Sequence, residues 1–325
     1  MKPVLEKKSL RDEYGAALAD LGEINKDIVV LDSDLSSSTR TSVFAKKFPE
    51  RFFNMGVAEQ DMLSTAAGLA AAGKIPFAST FAIFATGRAW EQVRQSVCLS
   101  NLNVKIVSTH GGITVGEDGP SHQALEDVAI MRVMPNLTVV VPCDAVETRA
   151  VVKKAAETYG PFYVRTAREK FPVLMDKDYV FTPGKGVVLR HGPDVAIIAC
   201  GYMVSKALEA AEKLEADGIS ASVVNMSSIK PIDEDLIITM ASTTGAIVTA
   251  EEHSILGGLG SAVAEIVCER EPVPVMRVGM RGKFGSSGKP EELLEYYGMS
   301  ATAIADAAHR AISLKTGAVK NEKTA

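Results

Sequence analysis

Residues 138–167 read TVVVPCDAVETRAVVKKAAETYGPFYVRTA. A short run of β-branched residues at 138–142 gives way to an Ala-rich stretch with helical spacing at 144–158. A second apolar run, FYVRTA at 162–167, follows a Gly-Pro break. This is strand, helix, strand, the unit from which parallel sheets are built. The same rhythm extends backwards, with strands predicted at DIVVLDSD (27–34) and VKIVSTHGG (104–112) and helices at 10–22, 59–73 and 82–100. Residues 168–186, REKFPVLMDKDYVFTPGKG, interrupt it with two prolines, two glycines and mixed charge. The rhythm then resumes in shorter form, with strands at 194–201, 219–226, 246–253 and 274–279 and helices at 203–217, 233–242, 259–270 and 301–314. The fold class is therefore α/β. A doubly wound, mostly parallel sheet over 1–175 and a smaller α/β domain over 191–325 are joined by a linker at 176–190, each domain layered αβα. The polar tail from Lys315 is expected to fray.

Composition agrees with two packed domains. The 325 residues exceed one ordinary domain, and 46% hydrophobic with 23% charged residues exclude disorder and disulfide scaffolds. A formal net charge of -5 leaves no basic surface for nucleic acid. No segment reaches the ~20 apolar residues of a membrane span, and the N-terminus MKPVLEKKSLRDE lacks a signal peptide's apolar core. A cytoplasmic protein with four reduced, mostly buried cysteines is expected, since Cys98, Cys143, Cys200 and Cys268 form no CxxC pair.

Two glycine-rich stretches invite a phosphate. GKFGSSGKP (282–290) fails the P-loop pattern at Lys283 and Pro290. GGLGSAVAEIV (257–267) offers helix N-terminal amides, but a tight strand-to-helix turn explains its glycines equally well. More informative is NMGVAEQDMLSTAAGLAAAG (54–73), in which 62–73 carry no charge and predict a fully buried helix with Glu59 at its start. An acidic first turn complements the helix dipole, but a carboxylate entering a buried element is also a candidate for function. Phe81 and Phe84 stand at i, i+3 in STFAIFATGRAW, a spacing usual for core. STHGGITVGEDGPSHQALED (108–127) follows a strand and sets His110, Asp118 and His122 on a glycine-rich, flexible loop, where open α/β sheets hold ligands. Their intervals match no standard metal-ligand pattern. Asp32 and Asp34 end one strand as a capped turn or a binding edge. Arg165 and Arg168 end another, and arginines beside histidines and serines suit a phosphate.

Together LRDEYGAALADLG, LDSDLSSST, NMGVAEQDM, STHGGITVGEDGPSHQALED, REKFP and GSSGKPEELLEYYG resemble the C-terminal two-thirds of a transketolase, from about Ser9 to Ile312. The resemblance implies a pyrimidine-binding domain followed by the transketolase C-terminal domain, with thiamine diphosphate as cofactor. It gives Glu59 the catalytic carboxyl that hydrogen-bonds the pyrimidine N1′, Phe84 with Phe81 the aromatic stack, and Asp34 a place near the cofactor. Arg11, Ser38, His110 and Arg168 would bind the sugar phosphate, Asp118 would read a sugar hydroxyl, and His122 would lie near the reacting ketose end. Arg165 has a less certain counterpart. The GDG motif of the family's diphosphate domain is absent. The resemblance is thus to the C-terminal subunit of a split transketolase, whose N-terminal partner binds Mg2+, with two copies of each chain in the active unit. The alternatives are the β subunit of a 2-oxo acid dehydrogenase E1 component, a 1-deoxyxylulose 5-phosphate synthase-like enzyme, and a noncatalytic scaffold subunit.

Overall fold

The computed structural model describes residues 5–317; the last eight residues of the polar tail lie outside the described residues. Seven strands form the larger sheet: β2 (Ile28–Asp32), β3 (Phe52–Asn54), β4 (Ile75–Ser79), β5 (Lys105–Ser108), β6 (Thr138–Val140), β7 (Phe162–Arg165) and β12 (Ser228–Lys230), in the order β12-β6-β7-β5-β4-β2-β3. All pair in parallel except β12, which runs antiparallel to β6. The smaller sheet has the order β14-β13-β10-β11-β9, built from β9 (Val187–Pro193), β10 (Val195–Ala199), β11 (Ala221–Asn225), β13 (Ile247–Ser254) and β14 (Val275–Met280). Only its β9 is antiparallel. A two-stranded ribbon of β1 (Lys7–Ser9) and β8 (Lys170–Pro172) ties the start of the chain to the segment after β7.

The alternation of side chains along each strand explains the layering. Ile28 and Val30 of β2 pack with Tyr14 and Leu18 of the helix Leu10–Ile24, whereas Val29 and Leu31 pack with Met62 and Leu63 of the helix Glu59–Ala71. Helices therefore cover both faces. The second layer is shared: Ile106 and Tyr163 of the larger sheet belong to one apolar cluster with Ala196, Ile198 and Val224 of the smaller. The two domains are joined by a common core and by β12, which crosses from one to the other. Strand β9 begins inside the stretch read as linker, because Val187 and Val188 pair with Asn225 and Val224.

Two expectations about helices need correction. The helix expected at 82–100 is broken into Ala82–Gly87, Trp90–Gln92 and a π-turn at Val93–Cys98, and the break follows Gly87, the weakest helix former in the stretch. The helix Glu59–Ala71 is not fully buried: Gln60, Asp61, Ser64, Gly68 and Ala71 are exposed. Its lack of charge reflects small side chains on a face that nothing in this chain covers. The cysteines carry no disulfide; Cys98, Cys143 and Cys200 are buried and Cys268 is exposed.

Arg165 ends β7 but does not face the rim. It is 4% exposed, its Nε lies 2.9 Å from Asp127 Oδ2, and its Nη2 donates to the carbonyls of Ala124 (3.1 Å) and Glu252 (2.9 Å). It thus ties the two domains together instead of contributing to a phosphate cradle. Removing one member of a buried pair strands the other, at ~3–5 kcal/mol, whereas replacing both by apolar groups is often nearly neutral. Arg165→Leu is therefore expected to lower unfolding stability by that amount in urea, and Arg165→Leu/Asp127→Leu to recover most of it. A loss below about 1 kcal/mol for the single variant would show that the pair holds nothing together.

Candidate active site

The C-terminal ends of β2, β4, β5 and β7 open onto one rim of the larger sheet, and the turns that leave them carry the candidate residues. After β4 the chain turns into the short helix Ala82–Gly87, which presents Phe81 and Phe84 with ring centroids 5.7 Å apart. After β5, His110 takes the left-handed conformation (φ 59°), rare for a residue with a side chain. That twist lays its imidazole on Phe81, with centroids 3.7 Å apart and planes 20° from parallel. His122 meets Phe81 and Phe84 edge-on at 6.2 and 5.4 Å. The two histidines and two phenylalanines form one aromatic floor.

Cations gather around it. Arg11, in the first turn of the helix capped by Ser9, donates to the Ser38 carbonyl at 3.1 Å. Arg168 donates to the Val115 carbonyl at 2.7 Å and pairs with Glu117 (3.2 Å) and Asp118 (3.4 Å). Burial pushes His110 down to about 3, and Arg11, Arg168 and His122 push it the same way. Burial, then Arg40 and Arg168, also lower Arg11. The loop expected to be flexible is instead buried from Gly111 to Gly116, and turns as a short 3-10 segment at Ile113–Asp118.

Glu59 is 4% exposed at the start of its helix. Its Oε1 pairs at 3.0 Å with Nη1 of Arg88, whose guanidinium lies 4.1 Å over the Phe84 ring. One planar cation thus joins the carboxylate to the aromatic face. Arg88 was not singled out from the sequence, although it stands one helical turn beyond Phe84; Arg40, Glu117 and Gln123 were also missed. An open cavity of about 490 Å3 lies at Glu59, lined by Val57, Ala58, Gln60, Asp61 and Arg88.

Other candidates have structural partners. Asp34 (φ 60°) exchanges two hydrogen bonds with Asn54 and none with the cluster above. Asp32 is the capped turn: it accepts from the Leu35 amide and from the Thr39 and Thr41 hydroxyls. The amides of Leu259 and Gly260, offered by the glycine-rich turn, are both taken by the Glu251 carboxylate at 2.8 Å, so these two are not offered to an external anion.

Residues 6–173 match the transketolase pyrimidine-binding domain, and residues 184–304 match the transketolase C-terminal domain. The chain belongs to the transketolase family. It is 51% identical over 301 residues to a putative transketolase C-terminal section of Methanocaldococcus jannaschii, covering 92% of this chain and 94% of that protein. It is 43% identical over 311 residues to a 6-deoxy-6-sulfo-D-fructose transketolase subunit of Clostridium sp. (96% and 97%). A solved structure described as a split gene transketolase, inactive beta4 tetramer, superposes with a TM-score of 0.89 at 56% identity, over 94% of this chain and 99% of that one.

Transketolase-type domains imply thiamine diphosphate. The residues present fit its aminopyrimidine: a flat aromatic face and a buried carboxylate stand one guanidinium apart, and Arg88 occupies the space between them. They do not fit its diphosphate and metal on this face, because the Glu59 cavity is lined by Asp61 and by no cation other than Arg88. Among the described residues no three His, Cys, Asp or Glu side chains are grouped to hold a metal ion.

The lowered pKa of His110 has a direct consequence. An imidazole held below its ordinary 6.5 is neutral in the folded chain, so any stability it contributes is present above pH 6.5 and is lost as pH falls toward 3. In NMR spectra of the full chain the His110 ring signals should stay fixed between pH 5 and 8. A His110 midpoint near 6.5 would mean that the aromatic floor is open to water.

Proposed function

We propose that the chain is the C-terminal subunit of a thiamine diphosphate-dependent transketolase that moves a two-carbon ketol unit from a ketose phosphate to an aldose phosphate, in the pentose phosphate pathway. Its N-terminal partner supplies the diphosphate and Mg2+ anchors, in an assembly of two copies of each chain. The observation that carries this reading is the convergence of Arg11, Arg168, His110 and His122 on one aromatic floor, with Glu59 one guanidinium away. A 2-oxo acid needs neither the cations nor the hydroxyl-reading Asp118. A polyhydroxylated substrate with a dianionic end needs both.

When bound, thiamine diphosphate supplies an acidic carbon that adds to a ketose carbonyl. Phe84 offers the pyrimidine ring a stacking face once Arg88 swings aside. Glu59, buried and freed of Arg88, presents its carboxyl for a hydrogen bond and proton exchange with the pyrimidine N1′. His110, kept neutral, can accept or donate a hydrogen bond without adding charge. Arg168 spends its guanidinium on Glu117 and Asp118 until a phosphate arrives. A phosphate that draws Arg168 away also frees Asp118 for a sugar hydroxyl, so capture of the charged end and reading of the sugar are linked. A sulfonate end, as the Clostridium relative's name indicates for its sugar, suits the same cations.

Two measurements test this. Purified alone the chain should turn over no ketose phosphate, and with a subunit carrying the diphosphate domain it should transfer ketol units. Decarboxylation of pyruvate by that pair, with no ketol transfer, would assign it to the oxo acid dehydrogenases. In the same complex at saturating cofactor, Glu59→Gln should slow exchange of the cofactor C2 hydrogen with deuterium by ~10^2 to 10^4. A rate within about threefold of the unmutated complex would return Glu59 to the role of a first-turn acid.

A further inference from the structure

Among the described residues no ring of the smaller domain joins the aromatic floor, yet one of its carboxylates reaches the loop that builds it. Glu252 lies on β13 and is 2% exposed. Its Oε1 accepts from the Thr114 hydroxyl at 3.1 Å. Gly112, with φ 87°, rests directly on it; a Cβ at that position would collide with the carboxylate, so only glycine can make the turn. The Glu252 carbonyl meanwhile accepts from Arg165, and Arg165 fills the space where a Cβ of Gly111 would stand. Residues 111–114 thus sit on a seat made by Glu252 and Arg165. Downstream of that seat the chain runs buried to Gly116 and delivers Asp118, then His122.

We propose that Glu252 is a positioning residue for sugar recognition: its carboxylate holds Thr114 and the glycine turn before it, and so sets where Asp118 and His122 stand relative to Arg168. The inference rests on the reading above in which Asp118 and His122 touch the sugar. It gives the smaller domain a part in specificity that no contact with substrate would reveal.

The surroundings of Glu252 supply a readout. Arg165 of β7, Asp127 of the helix Asp127–Arg132, Tyr202, Cys200 and the neighbouring Glu251 are the titratable groups around it. Burial pushes Glu252 up to about 7, against the opposing effects of Arg165 and Thr114. With a folded pKa above its ordinary 4.5, the carboxyl favours folding while protonated, and that contribution is lost as pH rises through 7. Its hold on Thr114 changes the other way, because an ionised acceptor makes the stronger hydrogen bond. Global stability and loop order should therefore move in opposite directions between pH 6 and 8, which a purely structural contact does not produce.

The test is hydrogen exchange of the amides at 113–119 in the full chain, corrected for intrinsic rates, at pH 6, 7 and 8. In the unmutated chain loop protection should rise with pH; in Glu252→Gln it should be flat and about tenfold lower at pH 8. Thr114→Val removes the same hydrogen bond from the other side, leaves the buried carboxylate in place, and should loosen the same amides. Unchanged loop protection and an unchanged pH trend in both variants would overturn the proposal. In the two-subunit complex Glu252→Gln should raise KM for the ketose phosphate about tenfold, with kcat and cofactor C2 exchange within twofold. A loosened loop with an unaltered donor KM would instead overturn the sugar reading of the loop, and with it the functional half of the proposal.

Discussion

The guanidinium of Arg165 is the point on which the architecture turns. It is a permanent charge away from water, and it is tolerable there because Asp127 neutralises it while two carbonyls from different parts of the chain accept hydrogen bonds from it. Tyr163, two residues earlier on β7, donates to the same Asp127 at 2.6 Å. The arrangement fixes three things at once: the end of β7, the start of the helix Asp127–Arg132, and the position of β13 in the neighbouring domain. The loop that bears His110 and Asp118 lies across this junction, so the geometry of the site follows from the fit between two sheets.

Much of the fold was legible because parallel strands buried on both faces read as continuous β-branched runs, and VVV at 139–141 or IVV at 28–30 has few other interpretations. Topology across the domain boundary was not legible. Nothing in SIK (228–230) announces that these residues complete the edge of the other sheet, since a three-residue strand carries no periodicity. The uncharged stretch at 62–73 misled for a related reason: small residues avoid charge whether they are packed or bare, and composition does not separate the two.

At the site, the legible residues were those whose chemistry is unusual for their setting: histidines on a glycine-rich turn, and a carboxylate entering an apolar helix. Arg88 and Glu252 were not, for opposite reasons. Arg88 looks like any surface arginine until its plane is seen against Phe84. Glu252 looks like one of two acids closing a strand, and only the approach of a loop some 140 residues earlier in the chain gives it a partner, Thr114. Arg165 failed differently: the end of a strand predicts proximity to a rim, but not on which side of the sheet's end the side chain folds.

The crossing strand β12 has a consequence for synthesis. The larger sheet is unfinished when its own residues have left the ribosome, because the partner of β6 belongs to a segment made well after it. At ~5 to 20 residues per second, the backbone of β6 waits with unpaired amides and carbonyls for on the order of 5 to 20 s. An open edge of that kind is a template for pairing between nascent chains. Translation speed between the two strands, and any chaperone that covers this edge meanwhile, therefore bear on how much native protein a cell obtains from each message.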